Sequence, residues 1–128
     1  MELKLNEAAK EIHNANKEKG FWDKPREIGT LLMLINSELV EALEADREDR
    51  FADIDLYEAV GHSGDTTDED WMRISFENNI KDTFEDEIAD TVIRILDLCG
   101  AKGIDIEKHI RLKLEYNKSR DKMHGKKY

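Results

Sequence analysis

The residues of this chain best placed to do chemistry are carboxylates set at helical spacing. Glu38 and Glu41 lie three apart, and so do Glu87 and Asp90, each pair threaded through an apolar stretch. Ile28, Leu31, Leu32, Ile35, Leu39, Ala42 and Leu43 surround the first pair; Ile80, Phe84, Ile88, Val92, Ile95, Leu96 and Cys99 surround the second. At about 100° per residue, Glu38 falls inside its apolar arc and Glu41 at the edge. Glu87 borders the second arc, and Asp90 lies on the polar flank beside it with Arg94 and Asp97. An ionised carboxylate removed from water is costly unless something positive compensates it.

Two antiparallel helices carrying such pairs can bring four oxygen-bearing groups around one cation. Oxygen ligation without His or Cys favours Mg2+, with Mn2+ as the alternative, over zinc. Magnesium retains waters and takes phosphate oxygens as further ligands, so the chemistry that follows is phosphoanhydride hydrolysis. The spacing alone is unspecific, because 30 of the 128 residues are acidic. Acids at the margin of an amphipathic helix also form plain solvated borders, and pattern alone leaves both readings open.

The elements that must position these groups are helical. A single proline and seven glycines provide little punctuation for an all-β fold, and the apolar periodicity is that of helices. The chain reads as one all-α domain, residues 1–128, an antiparallel bundle of about four main helices. The first runs from about Asn6, a plausible N-cap, to Lys19 with Gly20 ending it. The second runs from Pro25 to about Arg47, and the third from near Phe76 or Asn79 to Leu98, closed by Gly100 and Gly103. The fourth has Asp105 as N-cap and reaches about Lys122. Between helices 2 and 3, residues 46–79 read as a long acidic connection or insertion holding one or two short helices. Phe21 and Trp22, adjacent aromatics in a loop, form either a plug over a bundle end or a stacking surface for a planar ligand.

Charge is unevenly spread over this net −10 chain: residues 38–70 hold 13 acids against 2 bases, residues 108–128 hold 8 bases against 2 acids. The acidic total excludes a general binder of nucleic acid, which must neutralise phosphates. A basic end facing an acidic cluster suits instead a metal-bound polyphosphate. The lone cysteine, Cys99, excludes an intramolecular disulfide and a cysteine-rich zinc site, and reads as an inert core residue. No apolar run approaches the ~20 residues that span a bilayer and no leader precedes the first helix, so no membrane partner and a cytoplasmic location are expected.

The words around these acids carry a resemblance. Glu38-Leu-Val-Glu41 followed by Glu87-Ile-Ala-Asp90 resembles the E-x-x-E … E-x-x-D signature of the MazG-like all-α nucleoside triphosphate pyrophosphohydrolases, the superfamily of dimeric dUTPases and phosphoribosyl-ATP pyrophosphohydrolase. Gly20-Phe21-Trp22-Asp23, Lys113-Leu-Glu-Tyr-Asn117-Lys-Ser-Arg120 and His124-Gly125-Lys126-Lys127 agree in order. The 45 residues between Glu41 and Glu87 exceed the usual short link of that superfamily, and the excess falls in 46–79. The resemblance implies a Mg2+-dependent enzyme that cleaves a nucleoside triphosphate between its α- and β-phosphates, giving monophosphate and pyrophosphate, and that works as a homodimer or homotetramer. It implies that Glu38, Glu41, Glu87 and Asp90 hold metal and form the catalytic centre. Lys113, Asn117 and Arg120 would meet phosphate or metal-bound water, with Lys126 or Lys127 over the triphosphate; Trp22, with Phe21 beside it, would stack on the base. The alternative is a non-catalytic acidic helical module that binds a basic protein partner. A di-iron bundle is disfavoured because none of His13, His62, His109 or His124 has Glu three residues before it.

Overall fold

The structure, a computed structural model, describes residues 2–59 and 68–120. Among them the fold is all-helical: α1 (Leu5–Glu18), α2 (Ile28–Arg47), α3 (Ile54–Ala59), α4 (Asp68–Asn79), α5 (Phe84–Lys102) and α6 (Ile106–Lys118). No helix among the described residues is long and apolar enough to cross a membrane. The chain divides into two compact units, one made of residues 1–25 with 96–128, the other of residues 26–95.

In the first unit α1, the end of α5 and α6 enclose a small core of Ala9, Leu96 and Cys99, flanked by Leu5, Ala8, Ile12 and Ile106. Cys99 is buried and free, as expected of an inert core residue. Asn6 does not cap α1; Lys4 occupies that position without a side-chain cap. Asn6 instead reaches the start of α6, donating from Nδ2 to Asp105 Oδ1 at 2.8 Å and accepting from the Glu107 amide at 3.3 Å. Asp105 is the N-cap of α6, accepting the Lys108 amide at 3.1 Å. The helix ends at Lys118, a turn before the expected Lys122, and Ser119 follows it as C-cap.

A second feature of this unit is a buried carboxylate with a full set of donors. Both oxygens of Asp97 accept Trp22 Nε1 at 3.1 Å, Asn16 Nδ2 donates to Oδ2 at 3.0 Å, and His13 Nδ1 lies 2.8 Å from Oδ1. The His13 ring meets the Trp22 indole edge-on, with centroids 5.0 Å apart. Asp97 therefore leaves the polar flank assigned by helical phase and becomes the group that fixes the Gly20–Asp23 turn to α5. Gly20 makes that turn possible with φ +88°.

In the second unit Leu31, Ala42 and Ala45 are the buried apolar residues of α2, together with Glu38. Of the rest of its apolar arc, Ile28, Leu32, Leu39 and Leu43 are exposed and Ile35 is half-buried. Helix α2 begins three residues after Pro25, at Ile28. The long connection holds two helices: α3 packs on α4 through Tyr57 against Phe76, and Ser75 Oγ donates to Tyr57 O at 3.0 Å. Backbone bonds from Asp53 N to Asn79 O and from Phe84 N to Arg50 O pin the chain after α2 between the end of α4 and the start of α5. Residues 60–67 lie outside the description.

The third main helix starts later than its periodicity predicts, because residues 80–83 break it from α4. Ile80 N and Lys81 N both close on Phe76 O, and Asp82 turns into the left-handed region at φ +64°. Thr83 Oγ1 then accepts the Asp86 amide at 3.3 Å, and Asp86 Oδ2 reaches back to the Asp82 amide at 3.0 Å. The far end also differs, since α5 runs through Gly100 to Lys102 and only Gly103, at φ +65°, closes it.

Gly100 lies where α1 approaches closely: a Cβ there would fall 2.6 Å from His13 Cβ and 2.7 Å from Ala9 O. Gly100→Ala is expected to destabilise the protein by about 1–3 kcal/mol despite its better helix propensity, because a backbone oxygen cannot swing aside. Gly29→Ala, with nothing within 4 Å of the added methyl, should be neutral or stabilising, and thermal melts of the two variants make the comparison.

Candidate metal centre

The second unit brings Glu38 and Glu41 of α2 together with Glu87 of α5. One carboxylate oxygen from each lies within 4.8 Å of the others. Their placement follows from local structure: the Thr83 cap sets the register of α5 so that Glu87 falls in its first turn, while Glu38 and Glu41 occupy successive turns of α2. Glu38 is 8% and Glu87 4% exposed, whereas Glu41 opens to solvent. A cavity of about 260 Å³ takes Val40, Glu41, Glu44, Arg50, Asp82 and Glu87 as walls.

Two groups neutralise the cluster. Arg94, two turns along α5, donates from Nε to Glu38 Oε1 at 2.9 Å. Burial pushes the Glu38 carboxyl up, but this guanidinium and hydrogen bonds shared with Glu87 and Glu41 outweigh it and hold the group below its ordinary value. Glu87 has no such cation among the described residues. Burial first, then hydrogen bonding with Glu38 and Glu41 and the charges of Glu41 and Asp90, push it up to about 8. Glu87 Oε2 is fully buried with no hydrogen-bond partner among the described residues. With no cation bound, the cluster is thus held by one guanidinium and one proton.

Asp90 is a turn along α5 from Glu87 and stands outside that set of three oxygens. Its carboxyl is raised by burial and by the charges of Asp86 and Glu38, with Arg94 partly offsetting them. Hard carboxylate oxygens, a buried acceptor without a donor and a cavity beside it suit an oxygen-seeking divalent cation. Imidazole and thiolate are missing from the set, which makes zinc a poor match.

The remaining sequence-derived candidates belong to the first unit. Trp22 is half-buried and held by Asp97, while Phe21 beside it is 56% exposed. On α6 and just beyond it, Lys113 Nζ and Arg120 Cζ lie 5.3 and 5.4 Å from the centre of the Tyr116 ring. Asn117 points inward, its Oδ1 buried without a hydrogen-bond partner among the described residues. Lys126, Lys127 and His124 lie outside the described residues.

Sequence reasoning passed over Arg94 as a functional residue, although it stands four after Asp90 and seven after Glu87 and so shares their face. It also passed over Asp82 and Asp86, whose contribution depends on a helix break that periodicity did not reveal. No known family model, curated protein or solved structure matches this chain.

The protonated state of Glu87 has a measurable consequence. Its folded pKa, about 8, lies above its ordinary 4.5, so between these values the folded state binds more protons than the unfolded state. Stability must therefore fall as pH rises through that window. In chelator-treated protein Tm should decline from pH 5 to pH 8, and Glu87→Gln should flatten the decline. A wild-type Tm independent of pH would refute the assignment. Mg2+ added at pH 7 should restore stability and release about one proton per site, read by calorimetry in buffers of different ionisation enthalpy.

Proposed function

We propose that this chain is a divalent-cation-dependent nucleoside triphosphate pyrophosphohydrolase of the MazG-like kind, producing a monophosphate and pyrophosphate. The observation that carries this proposal is the buried and under-compensated carboxylate set of Glu38, Glu41 and Glu87 with its open-sided cavity. A solvated acidic border would leave these groups wet and unshifted; here burial and mutual contact raise Glu87 to about 8.

In this proposal Glu38, Glu41 and Glu87 hold Mg2+, with Asp90 a turn away as a further ligand or as a base toward water. The ion, when bound, would offset phosphate charge and acidify an attacking water. The protein's own groups do the remainder. Arg94 keeps Glu38 ionised and ready to ligate. Exposed Glu41 and the cavity mouth leave room for the triphosphate. Asp97 holds Trp22 in one orientation, as a base-stacking surface requires. Lys113, Asn117, Arg120, Lys126 and Lys127 are proposed as phosphate-binding groups.

Oligomer formation belongs to the same proposal. Leu32, Met33, Leu39, Val40 and Leu43 on α2, and Val92, Ile93 and Ile95 on α5, are all at least 38% exposed. A homodimer or homotetramer of the helical bundle would cover such surface.

The decisive experiment is a panel of canonical and modified nucleoside triphosphates with Mg2+, scored for monophosphate and pyrophosphate. Turnover of at least one nucleotide is expected, and Glu38→Gln and Asp90→Asn should each lower it by at least about 100-fold while far-UV circular dichroism stays unchanged. No product from any nucleotide would overturn the assignment and favour a non-catalytic binding role.

A further inference from the structure

The cavity of about 260 Å³ beside the carboxylate cluster has one cation in its described wall, Arg50, set among Glu41, Glu44, Asp82 and Glu87. Arg50 comes from the 46–79 connection, outside every word of the superfamily resemblance. Its backbone is nevertheless fixed from both sides. Helix α2 ends at Arg47 with Glu48 as C-cap, and Asp49 enters the left-handed region at φ +54°. Asp49 N then closes on Asp46 O at 3.1 Å and Arg50 N on Ala45 O at 2.8 Å, the paired bonds of a Schellman turn. Phe84 N donates to Arg50 O at 2.9 Å, which ties the residue to the start of α5, the helix of Glu87. The side chain is less committed. Among the described residues its guanidinium pairs with Glu48, outside the described cavity wall, through Nε to Oε2 at 3.1 Å. Both members of that pair are exposed, at 44% and 59%, and such a pair contributes little and is readily exchanged. The buried acid Glu38 takes its cation from Arg94 and not from Arg50.

We propose that Arg50 is a substrate-contact residue of this cavity, exchanging Glu48 for non-bridging phosphate oxygens of the triphosphate. A wall of carboxylates repels a polyphosphate, and a cation held by Glu38, Glu41 and Glu87 offsets only part of that repulsion. A guanidinium in the same wall adds positive charge and a planar fork of N–H donors that matches two phosphate oxygens at once. Anchoring of the Arg50 backbone at the end of α2 and the start of α5 keeps that fork at the cavity. The contact addresses phosphate and not the base, so every nucleotide that is turned over should depend on it to the same degree. The inference rests on the proposed phosphohydrolase reading for its substrate, and on the cavity wall and the Schellman turn for the residue.

Inorganic tripolyphosphate with Mg2+ is the probe, titrated into the full-length protein by calorimetry beside steady-state kinetics on whichever nucleotides are hydrolysed. Arg50→Gln is expected to weaken tripolyphosphate at least about tenfold and to raise KM by a similar factor for each nucleotide, while Mg2+ affinity without phosphate stays unchanged. Arg50→Lys should fall between, since an ammonium keeps the charge and loses the fork. Glu48→Gln, which removes the competing carboxylate, should tighten tripolyphosphate. Arg73→Gln takes the same charge from the surface pair of Arg73 with Asp70 on α4 and should change nothing. Unaltered tripolyphosphate affinity and KM in Arg50→Gln, with nucleotides still hydrolysed, would overturn the contact and leave the proposed activity standing. Equal losses in Arg50→Gln and Arg73→Gln would also overturn it, because net charge alone would then suffice. Tripolyphosphate binding that depends on Arg50, with no nucleotide hydrolysed, would support the contact and overturn the proposed activity. No tripolyphosphate bound to the wild type would overturn the contact outright.

Discussion

The constraint on which the second unit turns is that carboxylates crowded together away from water cannot all be ionised. Glu38 and Glu87 are buried and Glu41 approaches both, so some positive charge must enter the group. Arg94 supplies one charge, to Glu38; a proton supplies the other, on Glu87. The N-terminus of α5 works in the opposite direction, favouring an anion in its first turn by roughly 0.3–1 kcal/mol. One pKa unit corresponds to about 1.4 kcal/mol, and a rise from 4.5 to about 8 shows that burial and like charge dominate. A proton with a pKa of about 8 stays on Glu87 at neutral pH yet can be displaced there, and a divalent cation is the natural competitor for its place.

The first unit contains the contrasting case within the same chain. Asp97 is also buried, yet its two oxygens take hydrogen bonds from Trp22 and Asn16 and the close approach of His13. Buried polar groups in native proteins are normally satisfied in this way. Asp97 is fully spent on structure, tying α1 and the Trp22 turn to α5. Glu87, with Oε2 lacking a donor among the described residues, has capacity that those residues do not use. Burial is shared by these two acids; the supply of donors separates a structural carboxylate from a site carboxylate.

Packing is economical in a way that bears on assembly. Ala9, Ala42 and Ala45 are among the most deeply buried apolar residues, whereas Leu32, Leu39, Leu43, Val92 and Ile95 remain exposed. Small residues let helices approach closely, as Gly100 does beside Ala9 and His13, but close approach buries little apolar area per residue. The larger side chains of α2 and α5 carry most of the chain's hydrophobic capacity, and within one chain much of it stays uncovered.

Several features were legible in the sequence because they depend on local periodicity. The all-helical class, the Asp105 cap and the inward phase of Glu38 follow from spacing and residue type, and the structure has each of them. Helical phase also puts Glu44 on the solvent side of α2, and its carboxylate pairs there with Arg47. Only the tertiary structure decided which acids share a space. Helical phase places Glu87, Asp90 and Asp97 within one wide margin of α5, yet Glu87 joins Glu38 and Glu41 while Asp97 is taken up by Trp22, Asn16 and His13. Phase along one helix fixes an azimuth; what stands at that azimuth comes from segments far away in the chain. The break at Asp82 and Thr83 shows the same limit, because a left-handed residue and a hydroxyl cap leave almost no trace in an apolar pattern, yet they set the register that carries Glu87 into the cluster.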